Sequence, residues 1–191
     1  MRTLSRIEAV PVSESMAVAE TAAAFYADDP AIAFMLGRKN GLPHRRLAMR
    51  NCVVTSDMFQ TIYSYPSRKA FVHVAEAGTW GESLHQFVLR GTMKIPFVID
   101  SGTIERLHRY REACQAAVPE GISCYILAAY SSEGSEGEAS ELLAEVCGRV
   151  GSCCSVVHTD REERIFEDAG FVRDRDFEFE GVPCRLMLRA G

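Results

Sequence analysis

The chain has 191 residues, 47% of them hydrophobic and 25% charged, with a formal net charge of −5. Its length suits one domain with a substantial core, and its composition is that of an ordinary globular protein. No block of Lys or Arg stands out, which argues against a nucleic-acid partner, and no stretch approaches the ~20 apolar residues of a membrane span.

The N-terminus lacks the apolar run of a signal peptide, so a soluble cytoplasmic protein is expected. Seven cysteines are present, an odd number, and no C-x-x-C occurs. Neither a disulfide framework nor a metal site is expected from them.

Residues 7–11 form a short strand candidate. Ser13 is placed to cap a helix carrying Val18, Ala22 and Phe25 on one face. That helix stops near Asp28-Asp29-Pro30, because proline disfavours helix for the residue before it. A short segment over 31–36 leads to a break at Gly41-Leu42-Pro43. Pro43 then starts a long helix to about residue 60.

Residues 61–65 and 70–77 read as antiparallel strands joined by a Pro-Ser-Arg-Lys turn. Residues 79–120 read as an insertion of one or two helices, ending with Ile104, Leu107, Arg111, Cys114 and Val118 at helical spacing. The run 122–130 is almost unbroken apolar, as expected of a central strand buried on both faces.

A Ser/Glu/Gly loop over 131–137 follows. Ala139, Leu142, Leu143, Val146, Cys147 and Val150 then form a helical stripe. Residues 154–158 form another strand. Thr159 caps a helix over 160–169 that Gly170 ends. Residues 171–179 and 182–188 make a hairpin across Glu180-Gly181.

The predicted fold is therefore a single α/β domain over 1–191. It has a mixed central sheet, antiparallel strands at the N-terminal side, a parallel central pair and helices on both faces.

Three places carry a resemblance. The first is Ala24-Phe25-Tyr26-Ala27-Asp28-Asp29-Pro30-Ala31. The second is Gly134-Ser135-Glu136-Gly137-Glu138-Ala139-Ser140, running into Glu141-Leu142-Leu143. The third is His158-Thr159 with Ile165-Phe166-Glu167-Asp168-Ala169-Gly170-Phe171, followed by Met187-Leu188-Arg189. In this order and spacing the chain resembles the GNAT family of N-acetyltransferases.

The resemblance implies an acyl-coenzyme A-dependent N-acetyltransferase that moves an acetyl group from acetyl-CoA directly to a small-molecule amine. It puts the CoA site at Gly134, Ser135, Glu136, Gly137, Glu138, Ala139 and Ser140. Ala128 and Ala129 would offer strand-edge groups to the pantetheine arm, and Phe166 would lie near the sulfur. The physics agrees: a helix N-terminus behind a glycine-bearing loop is a natural diphosphate site. Phe25, Tyr26 and Phe34 would line the substrate pocket. Tyr125, Glu76 and His73 are the candidate catalytic groups, and His158 at a strand end is a further candidate base. A homodimer is compatible with such a domain.

Three departures favour an alternative, a GNAT-shaped ligand-binding or regulatory module without transfer chemistry. Gly134 stands where the family has Gln or Arg. Glu133, Glu136, Glu138 and Glu141 crowd the anion site. Phe166 replaces the family's tyrosine, and loss of a general acid costs ~10²–10⁴ in rate.

Overall fold

The computed structural model describes residues 7–56, 60–76 and 101–191. Among these residues, seven strands form one sheet in the order β1-β2-β3-β4-β5-β7-β6. They are β1 (Glu8–Ala9), β2 (Thr61–Ser64), β3 (Ala70–Glu76), β4 (Cys124–Ser131), β5 (Cys153–Val157), β6 (Val172–Phe179) and β7 (Val182–Arg189). All neighbouring pairs run antiparallel except β4 with β5. The helices are α1 (Ser15–Phe25), α2 (Pro30–Leu36), α3 (Leu42–Ser56), α4 (Ser101–Ala117), α5 (Glu136–Val150) and α6 (Asp160–Asp168).

The element order follows the sequence reading closely. Of the predicted insertion, residues 79–100 lie outside the described residues, and 101–117 are the single helix α4. One local expectation fails. Ser13 does not cap α1: it sits inside a 3-10 turn, Val12–Glu14, and α1 begins at Ser15 without a side-chain cap. Pro11 starts that tighter turn, and the tight winding shifts the helix start by one step.

Asp29 is the stronger boundary signal. Its Oδ1 accepts the Ile32 N–H at 2.8 Å, capping α2, whose first residue is Pro30. At α6 the Thr159 side chain and Glu162 form a complete capping box. The β6–β7 hairpin turns at Glu180 and Gly181, both at positive φ (49° and 83°). Two such residues match the right-handed twist of the flanking strands.

Burial divides the molecule into two apolar clusters. The larger takes α5 (Ala139, Leu142, Leu143, Val146, Cys147), α6 (Ile165, Phe166), α1 and the β2–β4 side of the sheet. Fully burying each leucine contributes roughly 1.5–3 kcal/mol. The second cluster joins α2 and α4 to β5 and β7 through Ala31, Cys114, Cys154, Cys184 and Leu186. Adjacent Cys153 and Cys154 fall into different clusters, as side chains alternating across a strand must.

Candidate functional site

Two features of β4 create an opening in the sheet. The first is a bulge: Val74 pairs with Ile126 and the next β3 residue, His73, pairs with Ala128, so Leu127 is the extra residue. Bulges bend a strand and increase its twist. The second is a short parallel ladder. β4 pairs with β5 only at Cys124↔Cys153 and Tyr125↔Cys154, whereas β4 runs on to Ser131 and β5 to Val157. Each strand stays bonded to its other neighbour to the end, β4 to β3 at Ser131↔Ala70 and β5 to β7 at Val157↔Arg185. The two strands therefore part like a V. The Ser155 hydroxyl, donating 2.7 Å to the Ile126 carbonyl, bridges its apex.

The V points toward the N-terminus of α5. Gly134, at φ +73°, turns the chain into that helix. The first-turn N–H groups of an α-helix have no intrahelical acceptor. A Cβ on Gly137 meets no atom of the described residues within 4 Å, so none of them fills the space beside this first turn. Ser131 ends β4 buried, and its hydroxyl has no hydrogen-bond partner among the described residues.

An anion is already held in this loop by the chain itself. Arg161, from the first turn of α6, donates to Glu136 Oε1 from Nη2 (2.5 Å) and Nε (3.2 Å). Arg161 and the backbone N–H groups of Glu136 and Gly134 pull the Glu136 carboxyl below its usual range. Arg161 also lies over the Phe25 ring, 4.2 Å from its centroid. Glu138 is occupied as well, accepting from the Ser67 hydroxyl.

The sequence-derived candidates land as follows. Gly134, Ser135, Glu136, Gly137, Glu138, Ala139 and Ser140 are contiguous at the α5 N-terminus, with Ala139 and Ser140 turned into the protein. Ala128 and Ala129 lie just beyond the bulge, on the stretch of β4 that has left β5. Phe166 is 1% exposed and packs edge-on against Phe171, centroids 4.9 Å apart. Phe25 and Tyr26 surround Tyr130, at 6.2 and 5.6 Å between centroids. Phe34 lies apart from them, packed against Phe179.

His73 is buried, with Nε2 2.8 Å from the Tyr130 hydroxyl. Desolvation lowers it to about 4, so the ring is neutral. Tyr125 is buried in the second cluster, and burial raises its phenol well above the ordinary value. Glu76 ends β3 opposite Cys124, and its side chain lies outside the described residues.

The sequence reading missed a buried polar cluster where α2, α4, β5 and α6 meet. His158 Nδ1 lies 3.3 Å from Asp29 Oδ2 and 3.8 Å from Glu162 Oε2, and its Nε2 contacts the Tyr110 hydroxyl. Burial alone would lower the His158 pKa, but Asp29, Cys184 and Glu162 outweigh it and raise it to about 10. Burial raises Glu162 to about 7. The available signals were the Asp-Pro pair and the Thr159-x-x-Glu162 box, both of which read as helix starts and gave no hint of convergence.

No protein-family model and no curated protein matches the sequence. Solved structures do. An N-acetyltransferase from Staphylococcus aureus is 12% identical, with a TM-score of 0.60 over 96% of this chain and 100% of that one. Arylalkylamine N-acetyltransferase 2 from Aedes aegypti is 12% identical, with a TM-score of 0.61 over 98% and 99%. An aminoglycoside acetyltransferase solved with coenzyme A is 13% identical, with a TM-score of 0.52 over 96% and 93%. The chain thus has the fold of the GNAT N-acetyltransferases.

Proposed function

We propose that this protein is an acyl-CoA-dependent N-acyltransferase acting on a small amine. The observation that carries the proposal is the parting of β4 and β5 after Tyr125↔Cys154, aimed at the open first turn of α5. An extended, amide-bearing pantetheine arm fits the vacated edge of β4 at Ala128 and Ala129 as an added strand. Its diphosphate fits the amide groups around Gly134–Gly137, where Glu136 now places a carboxylate. The solved relative that holds coenzyme A supports this choice of donor.

Glu136 and Arg161 are each more than a third exposed. Breaking such a pair costs about 0–1 kcal/mol. A diphosphate carries more charge than the carboxylate it replaces and leaves Arg161 free to bind it. The carboxylate is therefore a displaceable occupant.

The amine nitrogen attacks the thioester carbonyl, the C–N bond forms, and the C–S bond breaks to release the CoA thiolate. No covalent enzyme intermediate is needed. Phe166 has no proton to give the leaving group. Tyr125, which burial keeps protonated, lies in the second cluster, whereas His73 bonds Tyr130 of the first, so the thiolate leaves without a proton from Tyr125. Neutral His73, opposite Ala128, can take the amine's proton but is a weak base, since burial lowers its pKa to about 4. Phe25 and Tyr26, which pack around Tyr130, are the aromatic groups proposed for the amine side; Phe34 packs apart from them against Phe179.

Acetyl-CoA with a panel of primary amines tests the reading through free-thiol release, alongside thermal shift with CoA alone. Stabilisation of about 2.7 kcal/mol is expected at 100 times the dissociation constant, with turnover on at least one amine. A second reading, a ligand-binding module without transfer, is favoured by the Glu136 carboxylate in the anion position. Binding without turnover across the panel would establish that second reading.

A further inference from the structure

Three metal-type donors converge beside Tyr26, and the proposed transfer gives none of the three a role. Asp29 Oδ2, His158 Nδ1 and Glu162 Oε2 all lie within 4.8 Å of one another. They come from three separate elements: the cap of α2, the end of β5 and the first turn of α6. We propose that this cluster is a binding site for one divalent transition-metal ion of the zinc class.

The geometry fits a small ion better than a bare ion pair. Donors around a four-coordinate ion at about 2.0–2.1 Å sit about 3.3 Å apart. Here His158 Nδ1 is 3.3 Å from Asp29 Oδ2 and 3.8 Å from Glu162 Oε2. Beyond that ion-pair contact, Asp29 Oδ2 has no hydrogen-bond partner among the described residues, and the Asp29 side chain is only 2% exposed. The imidazole nitrogen thus lies within 4 Å of both oxygens. A metal ion bound among the three meets both carboxylates; a proton on one nitrogen does not satisfy both.

Charge points the same way. With both carboxylates ionised and the imidazole neutral, the site carries two negative charges, which a divalent ion cancels in full while displacing the proton that the free chain holds on His158. A single proton on His158 leaves one charge uncompensated. The outer groups are those that orient metal ligands. Asp29 Oδ1 accepts from the Ile32 N–H at 2.8 Å. Glu162 Oε2 accepts from the N–H groups of His158 (3.0 Å) and Thr159 (3.2 Å). The Tyr110 hydroxyl meets His158 Nε2, the ring nitrogen opposite the proposed ligand atom Nδ1. An imidazole between carboxylates selects zinc, iron or copper over magnesium and calcium, which prefer all-oxygen shells.

The test uses the full chain after chelator treatment, titrated with Zn²⁺ and separately with Mg²⁺ by calorimetry. One equivalent of Zn²⁺ per chain is expected, with a raised melting temperature and no heat from Mg²⁺. Asp29→Asn keeps a good cap for α2 and is expected to weaken Zn²⁺ at least tenfold. Tyr110→Phe keeps all three donors and is expected to weaken it about 10–100-fold. Titration with Co²⁺ distinguishes the cysteines: these ligands give no thiolate-to-metal absorption. Failure of the wild-type chain to bind Zn²⁺, a thiolate band with Co²⁺, or unchanged affinity in Asp29→Asn would overturn the proposal. If Asp29→Asn does not fold, unchanged affinity in Tyr110→Phe would do so. None of these outcomes depends on acyl transfer.

Discussion

Arg161 Nη2 lies 2.5 Å from Glu136 Oε1, so the first turns of α6 and α5 are clasped over the loop where the sheet opens. The clasp places a carboxylate where the proposed diphosphate goes. Its removal should help ligand binding. Two unit charges at 4 Å interact by about 1 kcal/mol in water and about 4 at an effective dielectric of 20. For this half-exposed pair the lower figure applies. Glu136→Gln is expected to tighten CoA about fivefold, and Arg161→Gln to weaken it by a similar factor. Equilibrium titration of both variants checks this, and equal affinities in all three proteins would contradict it.

Phe166 marks the limit of reasoning from motif position. The resemblance aligns it with a tyrosine beside the CoA sulfur, yet it is packed in the core against Phe171. Restoring the hydroxyl places a polar group in an apolar cluster, at a cost of about 1–3 kcal/mol. Phe166→Tyr is therefore expected to unfold at lower denaturant without faster thiol release. A rate gain with unchanged stability would show that the ring faces the opening.

His73 gives the fold an acid-sensitive element. Burial lowers its pKa from an ordinary 6.5 to about 4, so the unfolded chain binds more protons than the folded one between those values. The associated stability is complete above about pH 6.5 and is lost as pH falls toward 4. The shift corresponds to roughly 3 kcal/mol. His73→Gln should flatten this part of the stability–pH curve. Denaturant midpoints from pH 4 to 7 provide the measurement.

Element order was legible in the sequence because apolar periodicity and chain punctuation are local. The α5 stripe, the Thr159 box and the Gly170 stop each announce themselves within a dozen residues. The opening in the sheet was not. Leu127 looks like any other residue of an apolar run, and only its misregister against β3 reveals the bulge. Nor did anything local tie Asp29 to His158, or Arg161 to Glu136, since these pairs meet only after β5 and α6 have packed. The glutamates around α5 read as a liability for an anion site. The structure shows what two of them do: Glu136 binds Arg161 and Glu138 binds Ser67.

Gly137 separates the needs of the fold from those of a ligand. A Cβ there meets nothing within 4 Å among the described residues, and glycine inside a helix is less stable than alanine by about 0.5–1 kcal/mol. Gly137→Leu is therefore expected to fold at least as stably as the parent while filling the space in front of the amide groups. Thermal unfolding of the free variant checks the first half of that expectation.

Titrating CoA by calorimetry into the wild-type chain, Glu136→Gln and Gly137→Leu addresses the donor site most directly. One site per chain is expected, tightest in Glu136→Gln, weaker in the wild type and weakest in Gly137→Leu. Absence of binding in all three, or affinity indifferent to both substitutions, would contradict the placement of a diphosphate at the start of α5.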